Sequence, residues 1–212
     1  MVGSGIAAQR LSPADSGLQL FENAAATAVG LVAIILTFGP VSGAHFNPAV
    51  SLADWAFGGL SGRDVAAYVP AQVGGCGAGA LLANAMFARP LFEVSSHVRS
   101  SGPLWLAEAV ATAGLLLVIF AVVRSGRAAI APFAVGAYIG GAYFWTSSTS
   151  FANPAITVGR TLSDSFSGIK PSSAPAFIVA QLAGVVIAVL LIKLLYPDVA
   201  DAAGEVVVPP TR

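Results

Sequence analysis

The chain has 212 residues, 56% of them apolar and only 9% charged, with a formal net charge of zero. Soluble domains carry about 25% charged residues, so this composition excludes an ordinary water-covered domain and points to the lipid bilayer as the main partner. No basic excess suggests a nucleic acid, and no acidic run suggests a cation sink.

The first eight residues are apolar and uncharged, without the basic start and long apolar stretch of a signal peptide. A first span is predicted over residues 18–38, with Glu22 near its start as an interfacial or loop-bonded carboxylate. The stretch Gly39-Pro40-Val41-Ser42-Gly43 then reads as irregular backbone leading into a short apolar piece, 47–57. A second span covers 65–87 and holds Cys76, which reads as a buried thiol. A single cysteine forms no internal disulfide. A third span, 104–123, carries Glu108, and a carboxylate inside a spanning helix is costly unless paired or functional. A fourth covers 128–145. The Ser/Thr-rich run 146–150 precedes a second short apolar piece, 153–164, and a fifth span covers 176–196. The two short pieces are predicted to be re-entrant half-helices, because irregular backbone at membrane depth must be buried in protein or line a watery path. Trp55, Trp105, Tyr143, Trp145 and Tyr196 fall near span ends, where aromatic anchors belong. Lys and Arg divide five to five between the two sides, Arg212 among them, so charge sets no orientation.

The chain repeats itself. Asn47-Pro48-Ala49 recurs as Asn153-Pro154-Ala155, 106 residues later. A Gln-x-x-Gly helix follows each copy, Gln72 lying 25 and Gln181 28 residues past its asparagine. Three predicted spans separate the copies, so the two halves, 1–100 and 101–212 of one domain, are expected to lie inverted in the membrane. Proline suits the first position of a helix and asparagine its cap. Two half-helix starts meeting at the midplane would offer two amide donors and two positive dipole ends. Cations would be repelled, and neutral molecules with a lone pair could pass.

These residues carry a resemblance. Gly43-Ala44-His45-Phe46-Asn47-Pro48-Ala49-Val50 and Asn153-Pro154-Ala155 resemble the two signatures of the aquaporin, or major intrinsic protein, family. Ala107-Glu108 with Ala111-Thr112 resembles the start of the family's fourth helix, where the resemblance implies that Glu108 braces a pore loop. It also implies an all-α membrane fold of six spans and two half-helices, a homotetramer with one pore per subunit, and structural support from His45, Gln72 and Gln181. The chain supplies five spans, and Gly3-Ser4-Gly5 resembles the end of the family's first helix. A misassigned start, a truncated gene and an upstream segment containing Ala-Glu remain open explanations. A five-span bundle is expected to be unstable alone.

Counting from the two motifs as the resemblance implies, the selectivity filter falls on Thr27, Gly141, Ser150 and Ile156. Many members have arginine where Ile156 stands. Arg160, one helical turn on, is expected on the surface. The uncharged filter resembles that of aquaglyceroporin-like members found beside arsenic-resistance genes. The expected function is a passive channel for water, glycerol-like polyols and arsenous acid in a prokaryotic inner membrane. A non-conducting fragment and an ion-coupled transporter are the alternatives. No catalytic motif appears, and no enzyme, cofactor or metal is expected. His45 reads as a hydrogen-bonded loop residue, with no second metal-ligating residue adjacent to it.

Overall fold

The computed structural model describes residues 1–197. Arg212 and the end of the second half lie outside the described residues. The described residues form helices and no strand. In chain order these are α1 (Val2–Leu11), α2 (Ser16–Ser42), α3 (Pro48–Phe57), α4 (Gly62–Met86), α5 (Gly102–Arg124), α6 (Ala131–Trp145), α7 (Pro154–Gly159) and α8 (Ala174–Leu195). Short 3₁₀ turns at Ala128–Ile130 and Pro171–Ser173 lead into α6 and α8, and one at Arg160–Leu162 follows α7. Five of these segments are long and apolar enough to cross a membrane. The structure therefore has the expected five spans and two short helices, with α1 as a further ten-residue piece against α2 and α4.

The helix ends follow local chemistry. Asp15 caps α2 by accepting from Leu18 N–H at 2.9 Å. Ser61 and Asp64 cap α4 reciprocally. The run from Gly39 to Ser42, expected to be irregular, is the last turn of α2, and Gly43 ends it at φ 66°. Pro40 is tolerated because near a helix end it removes little of the hydrogen-bond ladder.

Apolar surface drives no helix association in lipid, so packing rests on close approach of small residues. A methyl group on Gly184 of α8 would sit 2.5 Å from the Ala109 carbonyl oxygen of α5. On Gly136 of α6 it would sit 2.8 Å from the Ala28 oxygen of α2, and on Gly159 of α7 2.8 Å from the Cys76 oxygen of α4. Of the five spans α5 is the most buried and α4 the least. Outward faces carry Val29, Leu82, Leu106, Val186 and Leu190, at no cost in hydrocarbon.

Candidate permeation site

Each short helix begins at its asparagine. Asn47 Oδ1 accepts from Ala49 N–H at 2.9 Å, and Asn153 Oδ1 accepts from Ala155 N–H at 2.9 Å and Ile156 N–H at 3.2 Å. Pro48 and Pro154 open the helices, followed by the fully buried Ala49 and Ala155. The amide groups then cross the repeat. Asn47 Nδ2 donates to Ala152 O at 2.8 Å, and Asn153 Nδ2 donates to Phe46 O at 3.0 Å. Each carbonyl belongs to the residue just before the opposite asparagine, so the two starts are tied end to end. An amide has two N–H donors, and this tie occupies one on each side.

The loop before Asn153 is held by Glu108. Its Oε1 accepts from Phe151 N–H at 2.8 Å and its Oε2 from Ala152 N–H at 2.9 Å. Gln181 Nε2 adds a third donor at 2.6 Å. The backbone here needs support, since Ser150 and Ala152 have φ 48° and 46°. In the first half, Gln72 Nε2 donates to His45 O at 2.7 Å and Ser51 Oγ at 2.9 Å. Gln181 Nε2 likewise reaches Thr157 Oγ1 at 3.0 Å. Ser51 and Thr157 are partners that the sequence reading missed. Each stands four residues past its asparagine, so carrying the repeat alignment one turn further would have found them.

His45 lies between Ser51 Oγ at 3.3 Å from Nδ1 and Asp54 Oδ2 at 3.5 Å from Nε2. Asp54, nine residues on, comes back because α3 turns under the loop. Glu22 accepts from Ser12 Oγ at 2.9 Å, a loop-bonded carboxylate.

A cavity of about 340 Å³ opens at the junction, with Asn47, Asn153 and Gln72 on a wall otherwise mostly apolar. A second, of about 580 Å³, shares Ile156 and Cys76 with it and adds Thr27 and Arg160. Cys76 is thus a half-buried wall residue, where full burial was expected. Ser150 is wholly buried, and its hydroxyl has no partner.

Gly141 does not join this group. It is exposed, and a methyl group there would meet Trp145 Nε1 at 3.3 Å, on the face of α6 that carries Tyr138 and Trp145. Val135 and Ile139 line the first cavity, and the next inward turn of the helix brings Tyr143. Tyr143 is 1% exposed, with its hydroxyl 3.3 Å from Thr27 Oγ1. The turn of the 146–152 loop sets the register of α6 and puts Tyr143, two residues past Gly141, on the inward side. The same contact corrects Tyr143 from a membrane-interface anchor to an interior residue. Arg160, expected on the surface, is 2% exposed with its guanidinium carbon 3.5 Å from the Phe151 ring centroid.

Two half-helices tied start to start inside a bundle of apolar spans define a membrane protein of the inverted-repeat class, with its site where the two starts meet. The chain belongs to the major intrinsic protein family, whose profile matches residues 1–150 and again 136–211. It is similar to the aquaglyceroporin AqpS of Rhizobium meliloti, 48% identical over 91% of this chain and 82% of that protein. It is 33% identical to a probable aquaporin AqpM of Archaeoglobus fulgidus, over 78% of this chain and 72% of that protein. A glycerol uptake facilitator protein of Pseudomonas aeruginosa is also 33% identical, with 78% and 69% covered.

Proposed function

We propose that the chain is a passive channel carrying water, glycerol-like polyols and arsenous acid across a prokaryotic inner membrane, while excluding ions. The observation that carries this reading is the crossed pair Asn47–Ala152 and Asn153–Phe46 beside one cavity. The crossing fixes both half-helix starts and leaves one N–H on each amide for a passing solute. A neutral oxygen can accept from these donors, and a cation meets two positive dipole ends. Apolar walls opposite keep the contacts few, so a solute is not held.

An ion-coupled carrier is the weaker alternative. It needs an ionisable group free to load and unload in the membrane. Both oxygens of Glu108 are engaged by three donors. Asn47 and Asn153, with Pro48, Ala49, Pro154 and Ala155 setting their helices, are proposed as the pore centre. Thr27, Ser150 and Ile156 are proposed as the filter, with Tyr143 in the place expected for Gly141. Arsenous acid fits an aperture where Ile156 offers no guanidinium. A homotetramer with one pore per subunit belongs to the same proposal, and crosslinking in native membranes tests it.

Stopped-flow shrinkage and reswelling of proteoliposomes in sucrose, glycerol and urea tests the function. Glycerol entry well above that of empty vesicles supports it. No solute entry from correctly inserted protein supports the non-conducting alternative.

A further inference from the structure

The two halves share a contact outside the Asn-Pro-Ala motifs. Shifted by the 106 residues of the repeat, His45 matches Phe151, Ser51 matches Thr157 and Asp54 matches Arg160. In each half the residue two before the asparagine meets the residue seven after it. The Arg160 guanidinium carbon lies 3.5 Å from the Phe151 ring centroid, and His45 Nε2 lies 3.5 Å from Asp54 Oδ2. The place is the same and the chemistry differs. A guanidinium packed on a phenyl ring needs no proton exchange to hold its contact. An acid facing an imidazole is a pair whose bond depends on one proton.

The surrounding hydrogen bonds fix where that proton lies. Ser51 Oγ donates its single proton to Asn47 O at 3.3 Å and accepts from Gln72 Nε2 at 2.9 Å. His45 Nδ1, 3.3 Å from the same hydroxyl, is therefore the donor in that contact. A neutral imidazole with its proton on Nδ1 turns a bare lone pair from Nε2 toward Asp54. Asp54 is 2% exposed, and its Oδ1 has no partner. A proton between Oδ2 and Nε2, on either atom, satisfies the pair. Without it, two buried acceptors face each other. Burial pushes the Asp54 carboxyl up to about 7 and His45 down to about 4, so the acid titrates near neutrality beside a ring that stays neutral. Among the described residues α3 packs on α4, α5, α7 and α8. Helix α7 has no titratable group, and the others carry Arg63, Asp64, Tyr68, Cys76, Glu108, Arg124 and Lys193. Arg63, Asp64, Arg124 and Lys193 are exposed, and Glu108 is engaged by the loop before Asn153. Tyr68 lies 5.5 Å from the His45 ring and donates to Ser42 O, and Cys76 stands on the cavity wall. His45 is the group that meets the Asp54 carboxyl.

His45 sits directly before the crossed tie. Its own carbonyl accepts from Gln72 Nε2 at 2.7 Å, and the next carbonyl, Phe46 O, accepts from Asn153 Nδ2 at 3.0 Å. We propose that Asp54 is a positioning residue of this channel: acting through His45, it holds the Phe46 carbonyl on the Asn153 amide, and it does so only while the His45–Asp54 pair keeps its proton. This rests on the channel reading above. Loss of the proton sets Nε2 and Oδ2 against each other. The ring can answer by taking up the other tautomer, which claims the Ser51 proton from Asn47 O and unsettles the first turn of α3. Either way the tie loosens on the first-half side, and neutral-solute flux falls as pH rises.

The test uses the full chain in proteoliposomes, with glycerol permeability measured at pH 5.5 and 8.5 for wild type and Asp54→Asn. Thermal unfolding midpoints of both are taken in detergent at the same two pH values, and insertion is verified by protease protection. A carboxyl raised in the folded state contributes stability below its unfolded pKa and loses it as pH rises through the folded value. Wild-type glycerol permeability should therefore fall about threefold or more from pH 5.5 to 8.5 as one buried hydrogen bond is lost, and the midpoint should fall with it. Asp54→Asn keeps an N–H donor for Nε2 that no pH in this range removes, so both readouts should be flat. A flat wild-type permeability profile overturns the proposal, and a sloping midpoint beside it reduces Asp54 to a stabilising residue. Asp54→Asn with the wild-type slope overturns it too, by placing the titrating group elsewhere. So does Asp54→Asn that fails to insert, because a neutral donor of the same shape should fit. Wild-type protein that passes no glycerol at either pH instead refutes the channel reading, and the midpoints still decide whether Asp54 carries the proton.

Discussion

At the scale of single residues, the site is a set of amide and carboxylate groups with few spare partners. Glu108 accepts three N–H bonds while wholly buried. Glu108→Gln turns one acceptor into an NH₂ donor facing other donors, so it should destabilise the folded protein by about 2–4 kcal/mol. Thermal unfolding in detergent reads this as a lowered midpoint. Asn47 and Asn153 must stay neutral for the proposed function. Replacing both with Asp places charge where donors are required, and neutral-solute flux should collapse or give way to cation leak. Unchanged flux from an inserted double variant would contradict the pore assignment. Ile156 lines both cavities and offers no hydrogen bond. Ile156→Arg should narrow the aperture and reduce glycerol and arsenite permeability more than water permeability. Parallel measurements in one vesicle preparation check it, and equal reductions would remove Ile156 from the filter.

At the scale of elements, glycines permit several of the close helix approaches. Gly184 lets α8 lie on the Ala109 and Thr112 turn of α5, and Gly159 lets α7 lie on the Cys76 carbonyl of α4. Gly184→Leu would force those two spans apart and carry Gln181, three residues away, off Glu108. The expected cost is about 3 kcal/mol or more, since overpacking a fitted contact strains both helices. The folded yield in detergent should fall sharply, whereas the same change on a lipid-facing position such as Val186 should leave it intact. Gly75 holds the repeat position of Gly184, yet nothing lies within 4 Å of a methyl group placed there. The inverted repeat is thus closely matched at the paired asparagines and unequal at this flank.

At the scale of the whole molecule, the loop 87–101 is fastened to the segment after α7. Ser95 N–H donates to Thr161 O at 2.9 Å, Lys170 N–H to His97 O at 2.7 Å, and Arg89 Nη2 to Asp164 O at 2.7 Å. Asp164 accepts from both N–H and Oγ of Ser96, and the backbone bond holds its carboxyl below the usual value of 3.8. A depressed carboxyl contributes stability above its unfolded pKa and loses it as pH falls through the folded value. This tie should therefore persist from pH 7 to pH 5 and loosen only below the ordinary carboxylate range. Hydrogen exchange of the Ser96 amide at pH 7, 5 and 3 reads it directly. Loss of protection already at pH 5 would contradict the assignment of the tie to the Asp164 carboxylate.

Sequence alone determined the membrane setting, the five spans, the two half-helices and the paired asparagines. Each rests on local chemistry: run length against bilayer thickness, proline and asparagine at helix starts, and a motif that recurs between long apolar segments. It also marked Glu108, because an acid inside a span must have a reason. Only the tertiary structure decided which face each helix presents. The inward place of Tyr143 over Gly141 hangs on the turn of the 146–152 loop, with its three left-handed residues Thr149, Ser150 and Ala152. The burial of Arg160 hangs on Phe151 and Ser167, nine residues before it and seven after. The crossing of Asn47 to Ala152 and Asn153 to Phe46 joins atoms more than a hundred residues apart. Such contacts are set by how the two halves meet, and no local spacing in the chain encodes that meeting.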